Sequence, residues 1–215
     1  MTSTTIVVLI SGNGSNLQSI IDAIESKQLD VRLAAVISNN PDAYGLTRAK
    51  NHGIEAHLID HRQFASREAF DEVLLDCIRK YDPDYIVLAG FMRILGYAFI
   101  QANQNKILNI HPSLLPDYKG LDTHRRVMEN GELEHGVSIH LVTPELDDGP
   151  VLMRGRYPIE AEDTLSDIQQ KSHALEHQMY PQLLQWLSHQ RLQINNQSIT
   201  FDHQPLHNPI EFTNN

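Results

Sequence analysis

Short apolar runs alternate with amphipathic stretches through the first half of the chain. Ile6–Ile10 is continuously apolar, the pattern of a strand buried on both faces of a parallel sheet. Leu17, Ile20, Ile21 and Ile24 then recur at helical spacing. Val31–Ile37 reads as a second strand, and a helix is expected from about Ala43 to His52, stopped by Gly53. Ile54–Ile59 is the third strand, Ser66–Tyr81 a helix, Asp84–Ala89 the fourth strand and Tyr97–Asn103 a short helix. Lys106–Ile110 is the fifth strand. This strand–helix rhythm predicts an α/β fold, a doubly wound open, mostly parallel sheet with helices on both faces.

The second half has a different rhythm. Thr123–Asn130 reads as a helix ended by Gly131, followed by longer extended runs at Gly136–Thr143 and Val151–Ile159. Between them lies the turn Glu145-Leu146-Asp147-Asp148-Gly149-Pro150. A long helix follows from about Thr164 to His189, opened by the acidic pair Glu162-Asp163. Leu192–Phe201 resembles a hairpin around Asn195-Asn196, and the polar tail after Asp202 is expected to be loosely held. With no repeat or linker in view, residues 1–190 read as one domain, with 191–215 a C-terminal hairpin and tail.

Composition narrows the function classes. Seventeen basic against 27 acidic residues give a net charge of −10, which argues against nucleic acid or an anionic membrane as a partner. An anionic small molecule would have to be held by local backbone donors. The single cysteine, Cys77, sits in a helical pattern and rules out an intramolecular disulfide, so a reducing, cytoplasmic setting is expected. No apolar run is long enough to span a bilayer. Twelve histidines are present, but His111, His124, His135 and His140 form no close ligand pair such as H-x-x-x-H with a nearby acid, so no metal is expected.

Three segments carry candidate chemistry. In Asn109-Ile110-His111-Pro112-Ser113-Leu114-Leu115-Pro116, Asn109 and His111 stand two apart on an extended stretch and should project together. Pro112 stiffens the loop beyond them, and the tight loop leaves open whether Leu115-Pro116 is cis. An amide beside an imidazole suits polarising a carbonyl. Asp147 beside His111 would raise the imidazole pKa and make it a donor near neutrality. Ser11-Gly12-Asn13-Gly14-Ser15-Asn16, between strand and helix, offers free amides to an anion, with Ser15 and Asn16 able to cap the helix. Leu17 stands where a dinucleotide fingerprint needs glycine, so the loop suits a single phosphate. Ala89-Gly90-Phe91-Met92-Arg93-Ile94-Leu95 leaves the fourth strand with apolar side chains around one arginine, as the lining of a flat heteroaromatic site would.

Together with Gly120-Leu121-Asp122-Thr123-His124 and Glu145–Pro150, these segments make the chain resemble the folate-dependent glycinamide ribonucleotide formyltransferases of purine biosynthesis. The resemblance spans most of residues 5–190 and implies a Rossmann-like formyltransferase fold. It implies Asn109, His111 and Asp147 as a catalytic trio, and Gly14, Ser15 and Asn16 as holders of the ribonucleotide phosphate. Glu176 would contact the ribose, and Met92, Arg93, Ile94 and Leu95, with Val142 and Thr143, would border the site of 10-formyltetrahydrofolate. Asp148 stands where the family is often small, and His173 where some relatives carry Gln or Lys. The substrates implied are small molecules, acted on by a monomer or homodimer. Sibling enzymes on the same core, a formyltetrahydrofolate hydrolase with an N-terminal regulatory domain or a methionyl-tRNA formyltransferase with a basic C-terminal domain, fit the chain less well. A ligand-binding sensor that kept the pocket is the rival from another class.

Overall fold

The computed structural model describes residues 4–195 and 198–213. The strands are β1 (Thr4–Ile10), β2 (Val31–Ser38), β3 (Ala56–Leu58), β4 (Tyr85–Leu88), β5 (Ile107–His111), β6 (Glu134–Leu141) and β7 (Val151–Pro158), then β8 (Leu192–Ile194), β9 (Ile199–Phe201), β10 (Gln204–Pro205) and β11 (Ile210–Phe212). The helices are α1 (Ser15–Glu25), α2 (Tyr44–Asn51), α3 (Arg67–Arg79), α4 (Tyr97–Ala102), α5 (Thr123–Glu129) and α6 (Leu165–Ser188). The main sheet runs β11-β7-β6-β5-β4-β1-β2-β3. Its pairings are parallel except β5–β6 and β6–β7. This is the doubly wound, mostly parallel sheet that the alternating pattern requires.

β1 shows why a continuous apolar run was needed. Ile6, Val8 and Ile10 pack into a core shared with α1 and α6, while Val7 and Leu9 face a second core built on α3 and α4. All five are fully buried, so both faces of the strand must be apolar. α6 crosses the first face with Met179, Leu183 and Leu184 buried. Truncating one such leucine to alanine costs about 2–5 kcal/mol. Its Tyr180 hydroxyl donates to the carbonyls of Leu88 (2.8 Å) and Leu108 (3.3 Å), tying the helix to the end of β4 and the first half of β5.

Two expectations need correction. α6 is opened by Thr164, whose hydroxyl accepts from the Asp167 N–H while the Asp167 carboxylate accepts from the Thr164 N–H. Asp163 instead takes the Lys171 ammonium (2.5 Å), and so is not the helix opener. The polar tail is not loose: β11 lies parallel to β7 and adds the edge strand of the main sheet, Ile210 opposite Met153 and Phe212 opposite Gly155. Alternating Ile210 and Phe212 are half-buried, and Phe212 packs against the main core, which a reading of overall polarity hides. β8, β9 and β10 form a separate antiparallel sheet, and Asn196 of the expected turn lies outside the described residues.

Candidate active site

The carboxyl ends of β1, β4 and β5 open on one edge of the sheet, where such folds place their ligands. At the first, Gly14 takes φ +76° and α1 begins at Ser15. A Cβ on Gly14 would come 2.8 Å from the Gly45 Cα, so the turn sits directly on the start of α2. Arg48 of α2 pins the loop by donating to the Asn13 carbonyl (2.9 Å) and to Asn13 Oδ1 (3.0 Å). The helix has no side-chain cap. The expected capping by Ser15 and Asn16 fails because the helix starts at Ser15, placing both in its first turn. The first amides of α1 are thereby left to an anion.

Asn16 is turned towards α6. Its Nδ2 donates to Glu176 Oε2 at 2.8 Å, and both side chains are buried. Asn16 Oδ1 is buried with no hydrogen-bond partner among the described residues. Burial raises the Glu176 pKa against the pull of the Asn16 amide and of His173. His173 stacks on His177 one turn along, with ring centroids 6.1 Å apart.

The end of β5 supplies the second part. β5 and β6 run antiparallel with Asn109 opposite His140 and His111 opposite Ser138. The turn after β6 folds back hard: a Cβ on Gly149 would lie 1.8 Å from the Leu141 carbonyl oxygen. That return carries Asp147, in the left-handed region at φ 49°, to both rings. Its Oδ2 lies 3.4 Å from His111 Nδ1 and accepts the Gly120 N–H at 3.0 Å, while Oδ1 lies 3.6 Å from His140 Nε2. Asn109 Nδ2 is 3.1 Å from the same His140 Nε2. His140 Nδ1 faces the Leu141 carbonyl at 2.9 Å, and its Nε2 stands between the Asn109 amide and the Asp147 carboxylate.

His140 belongs to the cluster and was not singled out from the sequence. Its alternating position along β6 was readable, but the register that sets it opposite Asn109 was not. The expected rise in the His111 pKa is also overturned. Burial lowers it, outweighing the Tyr118 carbonyl and the Asp147 carboxylate that pull the other way. Asp147 is itself pushed up by burial, yet the His140 hydrogen bond, His111 and the Gly120 N–H hold it below the usual carboxylate range. A carboxylate thus faces a neutral imidazole. With His111 Nε2 3.0 Å from the Tyr118 carbonyl, the neutral ring keeps its proton on Nε2 and turns an open Nδ1 to Asp147.

The third part leaves β4. Gly90 takes φ +75°, after which Phe91 and Leu95 are buried while Met92 and Ile94 stay exposed. Arg93 lies over the Phe70 ring, 4.6 Å from its centroid. Val142 packs against the core that holds Phe91 and Leu95, and the Thr143 hydroxyl donates to the Glu145 carbonyl (3.3 Å). A cleft of about 300 Å³ opens between Met92 and Arg93 on one side and Asn39, Asn40 and His61 on the other. Ser11 floors it, accepting the Met92 N–H (2.7 Å) and donating to Asn39 Oδ1 (2.6 Å). Asn39 and Asn40, just after β2, and His61, after β3, were missed in the sequence because only the sheet order brings them beside β1. Among the described residues, no group of three or more His, Cys, Asp or Glu could hold a metal ion.

The formyl transferase family profile matches residues 4–184. The chain belongs to the formyl transferase family. Among its relatives, the phosphoribosylglycinamide formyltransferase of Escherichia coli K12 is 49% identical over 201 residues, covering 94% of this chain and 95% of the relative. The Haemophilus influenzae enzyme of the same name is 42% identical over 189 residues, 88% and 89% of the two chains. The solved structure of the Coxiella burnetii phosphoribosylglycinamide formyltransferase in complex with CHES superposes with a TM-score of 0.93. It is 48% identical, covering 99% of this chain and 100% of that one. This formyltransferase therefore has the same order of elements around the same open sheet edge, and no helix among its described residues is long and apolar enough to cross a membrane.

Proposed function

We propose that this formyltransferase moves the formyl group of 10-formyltetrahydrofolate to the amine of glycinamide ribonucleotide, giving the formylated ribonucleotide and tetrahydrofolate in de novo purine biosynthesis. The observation that carries the reading is the meeting of Asp147 with His111 and His140 at the end of β5, beside Asn109 and among buried neighbours. The free amides at Gly14, Ser15 and Asn16 suit the ribonucleotide phosphate, and buried Glu176, held by Asn16, suits a ribose hydroxyl. Exposed Met92 and Ile94, flanking Arg93 and followed by Leu95, offer a flat apolar surface for a pterin, with Val142 and Thr143 at its border.

In this reading the substrate amine attacks the formyl carbon, whose oxygen becomes an oxyanion. The Asn109 amide donates to that oxygen from a position fixed before reaction, and such donors usually supply the largest catalytic contribution; His111, neutral at rest, becomes a further donor only once Nδ1 takes a proton. Asp147 faces His111 Nδ1 and stabilises the ring once it takes a proton there. It also passes the amine proton, through water, to the folate nitrogen that leaves as the carbon–nitrogen bond breaks. No covalent enzyme intermediate is needed, which agrees with a site built from an amide, two imidazoles and a carboxylate. No metal is assigned a role, and the lone buried Cys77 suits a reducing, cytoplasmic setting.

The test is optical: release of tetrahydrofolate from 10-formyltetrahydrofolate by purified protein, with and without glycinamide ribonucleotide. Release that depends on the ribonucleotide is the expected result. Release without it would replace the transferase reading with a hydrolase, and no release with folate bound would replace it with a sensor.

A further inference from the structure

The segment from Phe91 to Leu95 has no helix or strand of its own. At its start, Ser11 N–H donates to the Gly90 carbonyl (3.1 Å), and Ser11 Oγ accepts the Met92 N–H. At its far end, the Gly96 N–H donates to Asp71 Oδ2 at 2.6 Å, reaching across to α3. Asp71 is 6% exposed, an unusual place for a carboxylate. Its second oxygen, Oδ1, is buried without a hydrogen-bond partner among the described residues, and so is Arg93 Nε. The Arg93 guanidinium stacks on Phe70, the residue before Asp71; burial raises the Asp71 pKa, against the Gly96 N–H and the Arg93 charge, which favour the ionised carboxylate.

A buried carboxylate that spends one oxygen on a single loop N–H and leaves the other unspent is expensive for the fold alone. Replacing it with an apolar residue would suit the surrounding Phe70, Leu74 and Phe99. Its geometric effect is specific. It holds the far end of the segment so that Phe91 and Leu95 stay seated while Met92 and Ile94 face outward. Gly96 is shaped for this contact, since a Cβ there would lie 2.7 Å from Asp71 Oδ2.

We infer that Asp71 is a positioning residue for the folate substrate, setting the Met92–Leu95 surface through Gly96 and Arg93. The inference rests on the folate reading of that segment given above. Direct binding of 10-formyltetrahydrofolate, followed by tryptophan fluorescence, and separate KM values for the two substrates test it. Asp71→Ala should weaken folate binding about tenfold or more, the scale of a lost charge-assisted hydrogen bond, while the ribonucleotide KM stays near wild type. Asp71→Asn keeps an acceptor for the Gly96 N–H and should recover most of that loss. Gly96→Ala, which displaces the carboxylate from the other side, should mimic Asp71→Ala, and the two together should be no worse than one alone. Wild-type folate affinity in soluble, folded Asp71→Ala would overturn the inference. Equal weakening of both substrates would overturn it too, because that is the mark of a general structural role. If the wild-type protein binds no folate, the folate assignment itself falls, a result distinct from either of these.

Discussion

Replacing Asp147 with asparagine removes one charge and little else. The side chain keeps its shape, an amide oxygen still accepts the Gly120 N–H, and asparagine tolerates the φ of 49° that the turn imposes. What disappears is the attraction for a proton on the His111 ring, whose Nδ1 lies 3.4 Å from the carboxylate. With charge centres about 4 Å apart and an effective dielectric near 20, that attraction is about 4 kcal/mol. Each factor of ten in rate is about 1.4 kcal/mol, so kcat should fall on the order of 10³-fold. Burial lowers the His111 pKa, so without Asp147 the ring has still less hold on a proton. The assay is steady-state turnover with both substrates saturating, alongside thermal melting. The melting temperature should stay within a few degrees of wild type, and both KM values should change little. A kcat within tenfold of wild type in a folded variant would refute the assignment, because no other carboxylate among the described residues is paired with His111.

Asn109→Ala removes a donor proposed for the oxyanion and should lower kcat on the order of 10²–10³-fold with a small effect on KM, measured in the same turnover assay. His135 is 1% exposed, and burial, then its neighbours His124 and His111, push its pKa down to about 4. The unfolded chain therefore binds a proton below about pH 6.5 that the folded protein refuses until about pH 4. Stability is full above that window and falls through it by up to about 3 kcal/mol, and urea midpoints of His135→Gln should flatten the slope between pH 7 and 5. A chain ending at Leu206 loses β11, with the partly buried Ile210 and Phe212 and the Glu211–Arg156 pair. It should lose about 2 kcal/mol and melt about 4–8 °C lower by calorimetry, with kcat unchanged because β11 lies at the sheet edge away from β5.

Period and punctuation made the parallel half of the sheet legible. Ile6–Ile10 could only be a doubly buried strand, and Gly12 and Gly14 could only be a turn between it and a helix. Helix ends were legible where a local cap decides them, although Thr164-x-x-Asp167 was passed over for the neighbouring acids. The tail was illegible for a different reason. Ile210 and Phe212 are too few to make a pattern, and they become a strand only because β7 offers an unpaired edge. That edge is a property of the finished fold.

The same division runs through the site. Asn109 and His111 are neighbours on one strand, so spacing alone brings them together. Asp147 reaches them from 36 residues beyond His111 only because β6 runs antiparallel to β5 and Gly149 lets the chain double back against Leu141. His140 arrives by that same register, opposite Asn109, and its Nε2 stands between the amide and the carboxylate. The electrostatics were the least legible part, since burial and the carboxylate act in opposite directions on His111 and only packing decides between them. The outcome suits the chemistry. An imidazole that is neutral at rest, with an open nitrogen facing an ionised acid, gains most from a proton at the moment the reaction has one to give up.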